Sequence, residues 1–203
     1  MCAAGRRPVR PMSALKILII PGSTRSGSHN VRLAAFAAHQ FVQAGADVTR
    51  ISLADFPLPL YEADVEAAAG VPREAVNLKR MISAHHGVLL VPPEYNASVP
   101  PLVSNAIAWL SRVDEPPEGR GAVFRNRPFA IASASENRFG GVRGLSALRL
   151  MLTACNALVI PSQLALAFAD KAYNDMDRLR LPADIAALDA LVKQLIHSAQ
   201  HTN

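Results

Sequence analysis

Apolar residues along this chain fall into short unbroken runs separated by segments in which they recur every three or four positions. That is the pattern of buried strands alternating with amphipathic helices. The runs at residues 17–20, 47–53, 87–91, 129–133 and 157–160 read as five strands. Ala34, Ala37, Ala38 and Phe41 mark the first helix, with Gly45 where a C-terminal cap falls. Pro72 opens the second in a first-turn position, and Val76, Lys79, Met81 and Ile82 carry it to His85 and His86. Val103, Ile107 and Leu110, with Trp109 beside them, define a third. Leu145, Leu148, Leu152 and Cys155 define a fourth, and Ile185, Leu188, Leu191, Val192 and Leu195 a fifth. Residues 55–61, broken by two prolines, read as an apolar loop, and 113–126 and 168–177 as polar surface loops.

Strands alternating with helices predict a parallel sheet covered on both faces. The expected architecture is a flavodoxin-like, doubly wound α/β fold with strand order 2-1-3-4-5, which makes strands 1, 3 and 4 neighbours. The three loops with unusual chemistry follow those same strands. Residues 22–30, Gly-Ser-Thr-Arg-Ser-Gly-Ser-His-Asn, crowd hydroxyls, one arginine and one amide before a helix N-terminus, where free backbone N–H groups and the helix dipole favour an anion. Gly22 and Gly27 lack the following lysine of a nucleoside-triphosphatase loop, and Thr24 occupies the second-glycine position of a dinucleotide fingerprint. A single phosphate, as in a mononucleotide, fits what remains; an ordinary turn capped by Ser28 or Asn30 is the plainer alternative. Residues 92–101 contain four prolines and a Tyr-Asn pair, a stiff backbone that displays its amides and an aromatic ring. Residues 134–141 end in Gly140-Gly141, which lets a ligand or the backbone approach closely. On this topology the loops meet in one cleft, suited to a planar ring carrying a monophosphate.

Charge narrows the partners. Of the net charge of +5, three units lie on Arg6, Arg7 and Arg10, so little positive charge is left for a nucleic-acid surface. Residues 1–14 read as a basic arm outside the fold, with Met12 an alternative start, and 15–203 as a single domain. No apolar run approaches the length of a membrane span, and the arm has no apolar segment behind it to make a secretory signal. With only two cysteines, a reducing cytoplasm is the expected compartment.

The motifs resemble those of the NADPH-dependent FMN reductases, a family that includes quinone, chromate and azo-dye reductases. GSTRSGSHN is similar to its GSxRxxSxN, PEYNASVPPLVSNAIAWLSR to its PEYNxSxPxxLKNAIDWxSR, and SENRFGGVRGLSALR, more weakly, to its SPGxxGGxRxxxxLR. The resemblance covers roughly residues 16–174. It implies that Ser23, Arg25, Ser28 and Asn30 hold the FMN phosphate, that Pro93, Glu94, Tyr95 and Asn96 line the flavin ring, and that Ser133 with Gly140 and Gly141 closes the ring pocket. Ser104 and Ala108 replace the family's lysine and aspartate, and Glu136-Asn137 replaces Pro-Gly. Asn137 is expected to keep that turn through a left-handed backbone. Glu136 adds negative charge that disfavours an anionic acceptor.

The resemblance further implies hydride transfer from NADPH (or NADH) to flavin N5 and then to a small-molecule acceptor such as a quinone, free flavin, azo compound or chromate. In such chemistry the cofactor reacts and the protein positions it, so no catalytic side chain is expected. A homodimer or homotetramer is also implied. An FMN-binding electron carrier and a non-enzymatic sensor of a nucleotide-like ligand are the alternative readings. No metal site is expected: His85 and His86 are adjacent and so not on one helix face, and His197 and His201 lack the glutamate of a zinc-binding helix.

Overall fold

The computed structural model describes residues 14–202. Of the basic arm expected over residues 1–14, all but Ala14 lies outside the described residues. The chain runs through β1 (Lys16–Pro21), α1 (His29–Gln43), β2 (Asp47–Arg50), α2 (Ala63–Ala69), α3 (Arg73–Ser83), β3 (Gly87–Val91), α4 (Pro101–Leu110), β4 (Pro128–Ala134), α5 (Val142–Ala154), β5 (Leu158–Leu166) and α6 (Pro182–Thr202). All strand pairs are parallel and the order is β2-β1-β3-β4-β5, the order expected.

Alternation along the central strands divides the core between the two faces. Ile17 and Ile19 of β1 pack with Leu33, Ala37 and Phe41 of α1 and Leu191 and Leu195 of α6. Leu18 and Ile20 turn the other way, onto Leu78 and Ile82 of α3, Ile107 of α4 and Leu148 of α5. With both faces buried, β1 and β3 need the continuous apolar runs by which they were legible. The ends of α1 follow from single residues. Ser28 Oγ accepts the Asn30 N–H at 3.3 Å at the start. At the other end, Gly45, at a φ of 84°, lets Ala46 N–H reach Phe41 O and Gly45 N–H reach Val42 O, a Schellman closure.

Four expectations need correction. The second strand stops at Arg50 rather than 53, because Ser52 Oγ caps a 3-10 turn at Leu53–Asp55. Pro72 precedes α3 as its N-cap. Residues 113–126 are not simply a surface loop: Val123 and Phe124 form a buried 3-10 turn, and Phe124 packs its ring against Phe129. The fifth strand continues past Pro161 to Leu166, since a bulge accommodates the proline. Phe129 pairs with Val159 while Ile131 pairs with Gln163, so Ile160, Pro161 and Ser162 oppose one residue of β4. Arg149 donates to Ile160 O at 2.9 Å and the Ser162 N–H donates to Gln194 at 2.8 Å, which satisfies the displaced backbone.

A further element, α2, had no apolar stripe to announce it, and none of its residues is buried. Its Glu66 accepts from Tyr61 and Arg120 and lies against Arg112, which ties the helix to the loop after α4. Trp109 is fully buried in the core, with its Nε1–H donating to Pro59 O at 2.8 Å.

Candidate active site

β1, β3 and β4 lie side by side, so the loops that leave their carboxyl ends converge. Together they line an open cleft of about 310 Å³. Ser23, Arg25, Ser28 and Asn30 come from the first loop and the start of α1, Pro93, Glu94 and Tyr95 from the second, and Ser135, Glu136 and Asn137 from the third. The first two loops are in close contact at their roots. Gly22 N–H donates to Val91 O, and a Cβ on Gly22 would stand 2.6 Å from Pro92 Cα.

At the anion end, Arg25 is exposed and has no carboxylate partner among the described residues; its Nη1 donates only to Ser26 O, at 3.4 Å. No acidic residue occupies the first turn of α1. Backbone donors, the hydroxyls of Ser23 and Ser28 and one free guanidinium form a donor set that fits a phosphate monoester. Asn30 is buried and uses both polar atoms of its amide on one residue: its Nδ2–H₂ donates to Ala134 O and its Oδ1 accepts the Ala134 N–H, both at 2.9 Å. It therefore clamps the start of α1 to the end of β4 and fixes two walls of the cleft relative to each other.

The ring end is built on a tight turn. Asn96 and Ala97 have φ of 51° and 59°, and Tyr95 and Ser98 exchange both backbone hydrogen bonds, as in a type I′ turn. This turn projects Tyr95, about half exposed, along the cleft. Asn96 sits at the turn's tip and does not line the cleft. Glu94 shows its stem to the cleft, while its nearly buried carboxylate takes two N–H groups of Arg143 and, at 3.0 Å, the N–H of Gly144. Burial alone would raise this carboxyl, but Arg143 and the Gly144 N–H outweigh it and hold the group below the usual carboxylate range.

Ser133, Gly140 and Gly141 do not reach the cleft surface. Gly141, at a φ of 89°, lies directly over Ser133, where a Cβ would stand 2.7 Å from Ser133 Cβ and closer still to its Oγ. A Cβ on Gly140 would meet Ala165 O at 2.5 Å. The glycine pair thus seats the third loop on β4 and β5, and the close approach it permits is by backbone. Ser133 Oγ is buried without a hydrogen-bond partner among the described residues. Asn137 does not use a left-handed backbone; its Oδ1 accepts the Phe139 N–H at 2.9 Å, and its carbonyl accepts from Gly140.

Two cleft groups escaped sequence reasoning. His29 Nε2–H donates to Glu136 Oε1 at 2.9 Å, bridging the first and third loops across the mouth. Separated by 107 positions, the pair leaves no local signal. Ser135 also lines the cleft and is indistinguishable in sequence from the other loop serines.

A mononucleotide-sized cleft at the carboxyl ends of a 2-1-3-4-5 parallel sheet places the chain in the flavodoxin-like class of doubly wound proteins. Comparison with known proteins makes the assignment narrower. Residues 15–171 match the family NADPH-dependent FMN reductase. The chain is 35% identical over 147 residues to a quinone reductase of Escherichia coli, covering 72% of this chain and 73% of that protein. An NAD(P)H-dependent FMN reductase of Pseudomonas aeruginosa is 37% identical over 139 residues, 68% of this chain and 69% of that one. In structure, a flavoenzyme NAD(P)H:(acceptor) oxidoreductase from Paracoccus denitrificans superposes with a TM-score of 0.75 at 21% identity over 92% of this chain and 98% of the other, a likeness of fold. The chain belongs to the NADPH-dependent FMN reductase family and is an FMN-dependent NAD(P)H oxidoreductase.

Proposed function

We propose that the cleft holds FMN with its phosphate among Ser23, Arg25, Ser28 and the first backbone N–H groups of α1, and with its ring against Pro93 and Tyr95. The observation that carries this reading is the meeting of three chemically unusual loops in one cleft, at one end of which lie the donors of the first loop and a helix N-terminus with no acidic residue in its first turn. When bound, FMN supplies the redox chemistry, taking hydride from the nicotinamide and passing electrons to an acceptor. The protein's part is position. Asn30 fixes the phosphate loop against β4, Glu94 fixes the ring loop against α5, and the type I′ turn holds the Tyr95 ring in place.

The acceptor we favour is a small quinone-like molecule. Tyr95 offers an exposed aromatic face, and Glu136 at the mouth, partnered by His29, disfavours anions. Two further readings belong with this one. Assembly as a homodimer or homotetramer is supported by Leu150 of α5 and Leu158 at the start of β5, 73% and 49% exposed. The cytoplasm is the proposed compartment; no helix among the described residues is long and apolar enough to cross a membrane.

Titrating apoprotein with FMN tests the phosphate end. Charge-assisted hydrogen bonds contribute about 1.5–3 kcal/mol, so Arg25→Ala should weaken FMN binding by about ten- to a hundredfold. An unchanged affinity would remove Arg25 from the phosphate site.

A further inference from the structure

Beneath the cleft, on the Leu18 and Ile20 face of the sheet, lies a buried apolar cavity. Its walls come from β1, β3 and β4, from α3 and α4 and from the turn at Phe124, and include Ile20, Ile82, Leu90 and Ala106. Every residue that lines it is buried, and no polar atom faces it. The space open to atom centres is about 30 Å³, roughly two to three times the ~10–15 Å³ that one water-sized molecule needs. It admits a molecule of about two heavy atoms and no aromatic ring. Water is disfavoured, because a buried water needs about two to four polar partners and the walls offer none.

Position connects the cavity to the site. Gly22 and Pro92 belong to its wall, and the next residue along the chain from each, Ser23 and Pro93, lines the cleft. The two strand ends meet there with no side chain between them: a Cβ on Gly22 would stand 2.6 Å from Pro92 Cα and 2.7 Å from Val103 Cγ2. Only these two backbones separate the cavity from the roots of the first two loops. We propose that the cavity binds dioxygen and passes it by Gly22 and Pro92 to a reduced flavin in the cleft, a step that rests on the FMN reading of the cleft. Dioxygen has the size the space selects, and it is neutral, apolar and better accommodated by apolar walls than by water. It is also a molecule that flavin chemistry uses. One O₂ takes two electrons and two protons from the reduced cofactor and becomes H₂O₂, NADPH having supplied the hydride and solvent the second proton. The product is polar, finds no hydrogen-bond partner in the cavity and so leaves through the cleft.

Methyl relaxation of the apoprotein under nitrogen and under dioxygen reads occupancy without any cofactor. Dioxygen should enhance relaxation of the Ile20, Ile82 and Leu90 methyls severalfold more than that of Ile17 and Leu33, which are buried on the other face of the sheet. Ala106→Val fills the space and should abolish the difference, whereas Ile82→Val enlarges the space and should increase it. The FMN-loaded proteins are then reduced with stoichiometric dithionite. Reoxidation by dioxygen should slow severalfold in Ala106→Val and quicken in Ile82→Val, while reoxidation by a benzoquinone, too large for the cavity, stays as in wild type. Equal enhancement at both sets of methyls would overturn the proposal, as would oxygen rates unchanged in both variants, or oxygen and quinone rates that change together. A protein that binds no FMN would instead overturn the cofactor reading, and the relaxation measurement would still decide whether the cavity takes dioxygen.

Discussion

The tie between Glu94 and α5 gives the site its most quantifiable support. Glu94's side chain is only 4% exposed, whereas that of Arg143 is 48% exposed, so the solvated arginine weakens the ion pair and the buried Gly144 contact is little screened. Glu94→Gln retains the shape and one acceptor but removes the charge. At about 1.5–3 kcal/mol for hydrogen bonds to a charged group, with the exposed arginine favouring the lower half, the expected loss is about 2 kcal/mol. For a chain of this size that corresponds to a fall of about 4–8 °C in unfolding temperature. Arg143→Ala should cost more at pH 7, because it leaves a nearly buried carboxylate with the Gly144 N–H alone. Burial then raises the carboxyl with the arginine no longer opposing it, so going from pH 7 to pH 5 should narrow the gap between Arg143→Ala and wild type. Thermal unfolding of the apoproteins at both pH values, followed by FMN titration, reads both effects, since a loosened ring loop must also bind FMN less tightly. Unchanged unfolding temperatures in both variants would refute this role for the carboxylate.

Gly141→Ala places a side chain at a φ of 89° and against Ser133, and should destabilise by at least about 2 kcal/mol in denaturant unfolding. Adding Ser133→Gly should recover the clash portion but not the backbone strain; full recovery would show that the left-handed conformation is not limiting. His85 is held below the ordinary histidine range by burial, which outweighs its 2.7 Å contact with Met81 O. Its contribution to stability is therefore complete above the unfolded value of about 6.5 and is lost as pH falls through the lower folded value. Chemical denaturation between pH 7 and 5 should show a shallower loss in His85→Gln than in wild type, and parallel curves would exclude this linkage.

The layout was legible because strands buried on both faces must be written as unbroken apolar runs, and β1 and β3 could hardly be read otherwise. β5 was cut short at Pro161 because a proline ordinarily ends a strand, and the Arg149 and Gln194 side chains that complete the bulge are distant in sequence. The buried turn at Val123 and Phe124 was masked by the charged and glycine-rich residues around it. In the site, the motifs located the three loops, but residue type alone did not reveal what each side chain faces. Glu94 turns to α5, Asn30 to Ala134, and Ser133 to the underside of Gly141. The first two orientations depend on packing between segments about fifty and about a hundred residues apart, and the third on the fold of the loop back over its own strand, none of which local patterning encodes. The His29–Glu136 bridge is legible only in three dimensions for the same reason.

On this reading the three loops hold FMN so that a nicotinamide dinucleotide can reduce it. The most direct measurement is the visible absorbance of the purified protein with FMN, before and after anaerobic addition of NADPH. The expected result is a bound-flavin spectrum that bleaches on NADPH addition and returns when a quinone is admitted. A bound spectrum that NADPH leaves unchanged would contradict the oxidoreductase and favour an electron carrier, and no flavin binding at all would mean that the cleft serves another ligand.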